Sequence, residues 1–299
     1  MKRRQALPEL LAPAGNMECL IAAILGGADA VYVGGVRFGA RAFAKNFELC
    51  ELGDAVRLCH LWGVRLYVTL NTLIFDKEID DALSYAKDLH AIGVDAVIVT
   101  DPGLISLIRK EVPGLELHAS TQMGVHNREG ADFAYSLGCK RVVLARECSD
   151  KDIAAITASA HPECEVFVHG ALCVCHSGQC LFSSMVGGRS GNRGECAQPC
   201  RLPYNGKHPL SLKDLSLSKH INELIDSGVS SLKIEGRMKS PSYVYEVTSI
   251  YRRLLDERRN SDKGEERRLL EVFSRGGFTD GYFTRHISSP MTEIGRAHV

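Results

Sequence analysis

The sequence has no apolar run long enough to cross a membrane, and no apolar segment follows its basic first residues. A membrane helix needs about twenty apolar residues and a secretory signal needs an apolar core, so we expect a cytoplasmic protein without membrane contact. The formal net charge is zero, which excludes a surface that attracts nucleic acid as a whole. One local group of cations is either a phosphate-facing rim or a solvated loop. Its members are Arg189, Arg193, Arg201, Lys207 and Lys213.

Several catalytic motifs are also missing from the sequence. There is no G-x-S-x-G turn of serine hydrolases and no H-E-x-x-H helix of zinc proteases, so the residues themselves give little support to hydrolysis. A Cys-x3-Cys-x2-Cys motif is absent too, and radical cleavage of S-adenosylmethionine is therefore not indicated. The turn after the first predicted strand, A-P-A-G-N, lacks the G-x-G-x-x-G spacing of dinucleotide-binding folds.

Cysteine, in contrast, is concentrated in one segment. Six of the eleven cysteines lie between residues 164 and 201, whereas the other five are scattered in apolar stretches, where cysteine acts as a small buried hydrophobe. In a reducing cytoplasm, grouped cysteines bind metals more often than they form disulfides. Zinc prefers tight ligand pairs, while iron–sulfur clusters accept more varied spacings, and both remain open. A four-thiolate site would use Cys173, Cys180, Cys196 and Cys200, with Cys175 in reserve.

The rest of the chain alternates between short apolar runs and amphipathic stretches. Many of the apolar runs follow a glycine, as expected for strands that come after a helix C-cap. About eight or nine such units predict an α/β fold, a (β/α)8 TIM-barrel-like domain with a cysteine-rich loop after the seventh strand. An open doubly wound sheet is the alternative. We assign residues 1–258 to the barrel, including the loop at 164–201, and a further strand to Leu210–Leu212. Residues 259–299 are predicted to be a charged linker and a C-terminal extension that is truncated in this chain.

A barrel of this type carries its active site at the C-terminal ends of its strands. Polar residues that follow the predicted strands there include Tyr32, Asn71, Asp101, Ser120, Gln122, Arg146 and Glu147. The catalytic candidates are His169, Glu235, Arg237, Lys213 and Asp214. Histidine suits acid–base chemistry near neutral pH, and an arginine fork suits an anionic substrate. For His169 the competing interpretations are a metal ligand and a hydrogen-bond partner of a sulfur in the cysteine-rich loop, whereas we interpret His176 as a satisfied structural histidine. Structural ion pairs are the alternative for Glu235 with Arg237 and for Lys213 with Asp214.

Two segments of the sequence resemble a known family. The run Glu165-Val-Phe-Val-His-Gly-Ala-Leu-Cys173, continued by Gly178-Gln-Cys180-Leu-Phe-Ser183, resembles the signature of peptidase family U32. The run N-R-G-E-C-A-Q-P-C-R resembles that family's second cysteine pair, and F-S-R-G-G-F-T-D-G-Y-F extends the resemblance over nearly the whole chain.

The resemblance implies two kinds of activity. Some members of the family are named collagenase-like peptidases, and others are iron–sulfur proteins of RNA-base or ubiquinone-precursor hydroxylation. We therefore predict a protein with a [4Fe–4S] cluster, with zinc as the alternative metal, that hydroxylates a base in tRNA or rRNA. Its implied partners are RNA, a small-molecule oxygen or hydroxyl donor and a protein of the same family. Since the fourth ligand varies in the family and no cysteine follows Cys200, we choose Cys200. A peptidase is the alternative, and a binding protein with a structural metal site is the third interpretation.

Overall fold

The computed structural model describes residues 7–40 and 46–292, and within them strands and helices alternate. The strands are β1 (Glu9–Pro13), β2 (Ala30–Gly34), β3 (Arg65–Leu70), β4 (Ala96–Val99), β5 (Glu116–Ala119), β6 (Arg141–Val143), β7 (Glu163–Gly170), β8 (Asp214–Ser216), β9 (Ser231–Ile234) and β10 (Phe278–Thr279). The helices are α1 (Met17–Leu25), α2 (Leu49–Leu61), α3 (Ile79–Ala91), α4 (Pro102–Glu111), α5 (Arg128–Leu137), α6 (Asp150–Thr157), α7 (Phe182–Gly187), α8 (Ile221–Asp226), α9 (Pro241–Glu257) and α10 (Lys263–Val272). Across these two ranges, every helix is too short or too polar to span a bilayer.

Eight of the strands close into a parallel barrel. Strands β1 to β7 pair in chain order, and β9 completes the ring by pairing with both β7 and β1. Each of these strands is buried along nearly its whole length because helices cover the outside of the barrel, as parallel sheets require. The predicted (β/α)8 fold is confirmed.

The strand that we predicted at Leu210–Leu212 is wrong in its position and its role. Strand β8 begins at Asp214, pairs antiparallel with the end of β7 and pairs parallel with β10, so it lies outside the barrel ring. The apolar alternation continues past Leu212 to Leu215 and Leu217, all three of which are buried. A period of two residues could not show which part of that run forms a strand.

The N-terminal half of the barrel interior is charged. The Arg141 guanidinium donates to Glu9 at 2.6 Å and to Glu165 at 3.3 Å, and the Lys233 ammonium donates to Glu165 at 2.9 Å. Burial raises the pKa of Glu165, but the charges of Lys233 and Arg141 outweigh it and bring that pKa to about 2. A small apolar layer lies next along the barrel axis, formed by Leu11, Ala30, Tyr32, Tyr67, Ala96 and Ile98.

The segment after residue 258 packs on the barrel. Helix α10 occupies much of the region that we predicted to be a charged linker, and it begins with a capping box in which Asp262 accepts from the Glu265 backbone. The Glu265 carboxylate is 7% exposed and receives both terminal nitrogens of Arg259. These charges therefore fix a helix start instead of keeping a linker in solvent. Residues 293–299 of the predicted extension lie outside the described residues.

Candidate active site at the barrel mouth

A small cavity of about 60 Å³ opens at the C-terminal ends of the barrel strands. Its polar or charged lining residues are Tyr32, Thr69, Asn71, Ser120, Thr121, Gln122, Arg146, Lys233, Glu235 and Arg237. The structure therefore brings together most of the polar residues that we predicted around the mouth. Asp101 is an exception, since its carboxylate caps helix α4 by accepting from the Leu104 amide at 2.9 Å.

Arg146 connects this cavity to the cysteine-rich loop. Its Nη2 donates to the Glu235 carboxylate at 2.7 Å, and its Nη1 lies 3.9 Å from the Cys173 sulfur. The guanidinium also lies over the Phe167 ring, 4.0 Å from the ring centroid, which fixes the plane of the fork. The sequence placed Arg146 at the mouth, but nothing in it indicated the contact with both Glu235 and a thiol.

Glu235 and Arg237 are both at the mouth, as predicted, although their side chains make different contacts. The Glu235 carboxylate is 14% exposed and pairs with Arg146, whereas Arg237 is buried and donates to the Thr69 hydroxyl at 3.1 Å. The pair is therefore not a simple two-residue salt bridge at the rim.

The four predicted thiols lie near one another in the loop between β7 and β8. Burial raises the pKa of Cys200, Arg201 opposes this, and the charges of Cys173, Cys196 and Cys180 raise it further. Cys200 is thus within electrostatic range of all three of the others. Burial raises the pKa of Cys175, and the charges of Cys180 and Cys173 raise it further. Cys164, in contrast, is buried in strand β7.

In this structure the thiols are spaced more widely than the ligands of a bound zinc ion. A tetrahedral zinc ion with bonds of about 2.3 Å needs sulfur atoms roughly 3.8 Å apart. Among the described residues, which include every cysteine, no three thiols have sulfur atoms all within 4.8 Å of one another. Two N–H groups approach the sulfurs, from Gln198 to Cys196 at 3.4 Å and from Arg146 to Cys173, as donors around metal-bound thiolates do. The choice between zinc and an iron–sulfur cluster stays a prediction.

The loop is attached to the barrel through Ser177 and Gly178. The Ser177 amide and hydroxyl donate to the two oxygens of Glu147, both at 2.8 Å. Gly178 has φ +76° and packs so closely on the segment after β5 that a Cβ atom there would lie 2.0 Å from the Gln122 carbonyl oxygen. Only glycine fits this position.

Replacing Gly178 with Ala should therefore cost more stability than the left-handed backbone conformation at this position would cost alone. An L-residue in this left-handed conformation costs about 1–2 kcal/mol, and displacement of the Gln122 backbone adds to that. Gly188 is the matched control, since it has φ +65° in the same loop and its Cβ would meet no atom within 4 Å. Thermal unfolding of both variants tests the difference, and equal losses of melting temperature would show that the contact with Gln122 has no energetic weight.

His169 does not face the cavity. A register shift between β7 and β9 pairs Phe167 with Lys233 and His169 with Ile234, so the imidazole lies on the outer side of the barrel wall. There it contacts Tyr251, with Nδ1 3.3 Å from the hydroxyl, and burial lowers its pKa to about 3. The ring is enclosed, and its Nε2 has no hydrogen-bond partner among the described residues.

Lys213 and Asp214 lie at the edge formed by β8, outside the residues that line the cavity. Asp214 is 3% exposed, and burial raises the pKa of its carboxyl group although Arg275 opposes the shift. Its carboxylate accepts from the Arg275 amide at 3.2 Å, and the Lys213 amide donates to the Met291 carbonyl at 2.8 Å. Both residues therefore join the barrel to the C-terminal segment.

The predicted basic rim is smaller than the sequence indicated. Arg201 is buried and donates to the Leu172 carbonyl at 2.7 Å and to the Ser211 hydroxyl at 3.0 Å, so it supports the loop from inside. Arg193 binds both oxygens of Glu78, at 2.7 and 2.9 Å. We predicted either a phosphate contact or a solvated side chain for Arg193 and Arg201. Neither description fits these two residues.

Comparisons with known proteins agree with this architecture. The family model described as peptidase family U32 matches residues 15–293. The chain is 45% identical over 259 residues to the 23S rRNA 5-hydroxycytidine C2501 synthase of Escherichia coli, an alignment that covers 83% of this chain and 39% of that protein. It is 40% identical over 266 residues to tRNA hydroxylation protein P1 of Bacillus subtilis, covering 83% of this chain and 63% of that protein. The chain thus spans less than two thirds of the length of these curated relatives.

One solved structure shows the same fold. The structure of the U32 peptidase Mk0906 superposes with a TM-score of 0.56 at 18% identity, over 79% of this chain and 96% of that one.

Proposed function

Because this chain belongs to peptidase family U32, we propose that it takes part in hydroxylating a base of ribosomal or transfer RNA. In this proposal, a [4Fe–4S] cluster is held by four thiolates of the cysteine-rich loop. The ligands are Cys173, Cys180, Cys196 and Cys200. Two relatives named for rRNA and tRNA hydroxylation, at 45% and 40% identity, support the substrate class. The observation that carries the proposal is the contact of Arg146 with both Cys173 and the mouth cavity.

The reaction replaces a C–H bond of the base with a C–OH bond, which is a two-electron oxidation. It therefore needs an oxygen or hydroxyl donor that accepts two electrons, and we propose a small molecule for this role. A [4Fe–4S] cluster supplies one-electron redox chemistry when bound. We also retain a protein of the same family as a proposed partner.

The residues of the mouth would bind and orient the reactants. A cavity of about 60 Å³ has room for only a few water molecules, so a base can enter only if a side chain at the mouth moves. Arg146 is placed for this, because it holds Glu235 on one side and lies beside Cys173 on the other. Its fork can exchange the carboxylate for an anionic donor or a phosphate. In that state the Glu235 carboxylate would accept a proton or a hydrogen bond from the substrate.

Replacing Glu235 with Gln tests this arrangement. We expect hydroxylated nucleoside to fall about tenfold to a hundredfold, since Arg146 loses the charge that positions it. The measurement is mass spectrometry of nucleosides from rRNA and tRNA of cells that lack the protein and are complemented with each variant. The control is Glu195→Gln, which removes an exposed carboxylate from the cysteine-rich loop.

The alternative activity is peptide hydrolysis, and testing the wild-type chain for both activities distinguishes it from RNA hydroxylation. If the wild-type chain restores no hydroxylated nucleoside but cleaves unfolded collagen after iron removal, the protein is a hydrolase. In that case the hydroxylation proposal is wrong.

A further inference from the structure

A second group of metal-ligand side chains lies beside the cysteine-rich loop. It consists of His126, Glu147 and His176, which follow strands β5, β6 and β7 respectively. One ligand atom from each lies within 4.8 Å of the other two. We propose that these three residues bind a divalent transition-metal ion, at a site separate from the thiols.

The orientation of His126 is the first argument. Its Nδ1 lies 2.6 Å from the Gly124 carbonyl oxygen, and its Nε2 lies 2.7 Å from Oε1 of Glu147. A carbonyl only accepts, so Nδ1 donates its N–H to Gly124, which leaves Nε2 facing the carboxylate. Either a second ring proton or a metal ion can lie between Nε2 and Oε1, and cobalt binding distinguishes the two. Histidines that bind metals commonly donate their other ring N–H to a backbone carbonyl in this way.

The crowding around one oxygen of Glu147 is the second argument. Oε1 is approached by His126, by the Ser177 amide at 2.8 Å and by Nδ1 of His176 at 3.3 Å. A carboxylate oxygen has about two lone-pair positions, so three nitrogen atoms around it are more than it accommodates well by hydrogen bonding alone. Oε2 meanwhile accepts from the Ser177 hydroxyl, and this holds the carboxylate in place as outer-shell hydrogen bonds do in metal sites.

The ligand types indicate the class of metal. Two imidazoles and one carboxylate bind zinc in open catalytic sites and iron(II) in non-haem centres. The His176 side chain is 76% exposed, so the remaining coordination positions face water. Because His176 lies in the cysteine-rich loop and the other two residues lie on the barrel, a bound ion would tie the loop to the barrel. This inference does not depend on the proposed function.

The test uses cobalt(II) as the probe, added to the anaerobically prepared full chain with its thiol site already filled. Nitrogen and oxygen ligands give visible d–d bands without the near-ultraviolet charge transfer of thiolate ligands. We expect about one equivalent bound, and an affinity at least about a hundredfold weaker in His126→Gln and His176→Gln. His161→Gln is the control, since that exposed histidine pairs with Asp132 at 2.9 Å in a comparable ion pair, away from the three proposed ligands.

A measurement of thermal stability distinguishes the loss of metal binding from a purely structural effect of the substitutions. Cobalt should raise the melting temperature of the wild type and of His161→Gln but not of His176→Gln, whose exposed side chain can be changed without disturbing the core. The proposal is overturned if both site variants bind cobalt as the wild type does, if the bound cobalt shows only thiolate charge transfer, or if no cobalt binds. The last result would identify His126 and Glu147 as an imidazolium–carboxylate pair.

Discussion

Replacing Cys180 with Ala should abolish the brown colour of anaerobically prepared protein and remove nearly all of its iron. Cys180 is one of the three thiols whose charges act on Cys200, so its loss leaves an incomplete ligand set for the cluster. Iron should fall from about four atoms per chain to near zero, and RNA hydroxylation should fall with it. Visible absorption and iron analysis of the purified variant measure the effect.

Three further cysteine variants make this result specific. Cys50→Ala is the control, because that thiol is exposed on helix α2, outside the loop, and its loss should leave the colour unchanged. Cys175→Ala and Cys200→Ala separate the two candidates for the fourth ligand. We expect colour to persist in Cys175→Ala and to vanish in Cys200→Ala, and the reverse would assign the fourth position to Cys175. Retained colour in Cys180→Ala would show that the ligand set is wrong.

Replacing Arg141 with Met should lower the free energy of unfolding by about 3–5 kcal/mol at pH 7. Arg141 is 3% exposed and is bonded to Glu9 and Glu165, whose carboxylates are 5% and 1% exposed. Its removal leaves buried negative charge that Lys233 offsets at Glu165 and the half-exposed Arg65 offsets at Glu9. Denaturant unfolding of the two proteins measures the loss.

The pH dependence of this loss follows from the pKa of Glu165. Its native pKa of about 2 is below the ordinary value of 4.5, so it contributes stability above pH 4.5 that is lost as the pH falls towards 2. In Arg141→Met the carboxyl group protonates at higher pH, and the difference from the wild type should therefore shrink on acidification. Arg65→Met is the matched control, since Arg65 pairs with the same Glu9 but its side chain is 45% exposed, and its loss should be at most about 1 kcal/mol. Equal losses in the two variants would contradict a buried ionic core.

The barrel was predictable because its evidence is local and repeated. Glycine-led apolar runs marked most of the barrel strands, and amphipathic stretches marked helices such as α1 and α5. The concentration of cysteines in one loop is likewise a local feature of the sequence, and the ligand set drawn from it stays a prediction. Such features depend on residues close together in the chain.

Other features depend on contacts between distant residues, which no periodicity shows. The shift between β7 and β9 that turns His169 outward is a property of two strands, not of the sequence around the histidine. The burial of Arg201 likewise depends on carbonyl groups such as Leu172, 29 residues away. Arg146 reaches Glu235 across 89 residues of sequence, so their pairing became visible only when the barrel closed.

Iron and acid-labile sulfide content of the anaerobically purified wild-type protein tests the central claim most directly. If the thiols of the cysteine-rich loop hold a [4Fe–4S] cluster at the barrel mouth, the protein should contain about four iron atoms and about four sulfide ions per chain. Protein whose thiols bind about one zinc ion per chain, with no sulfide, would contradict the account.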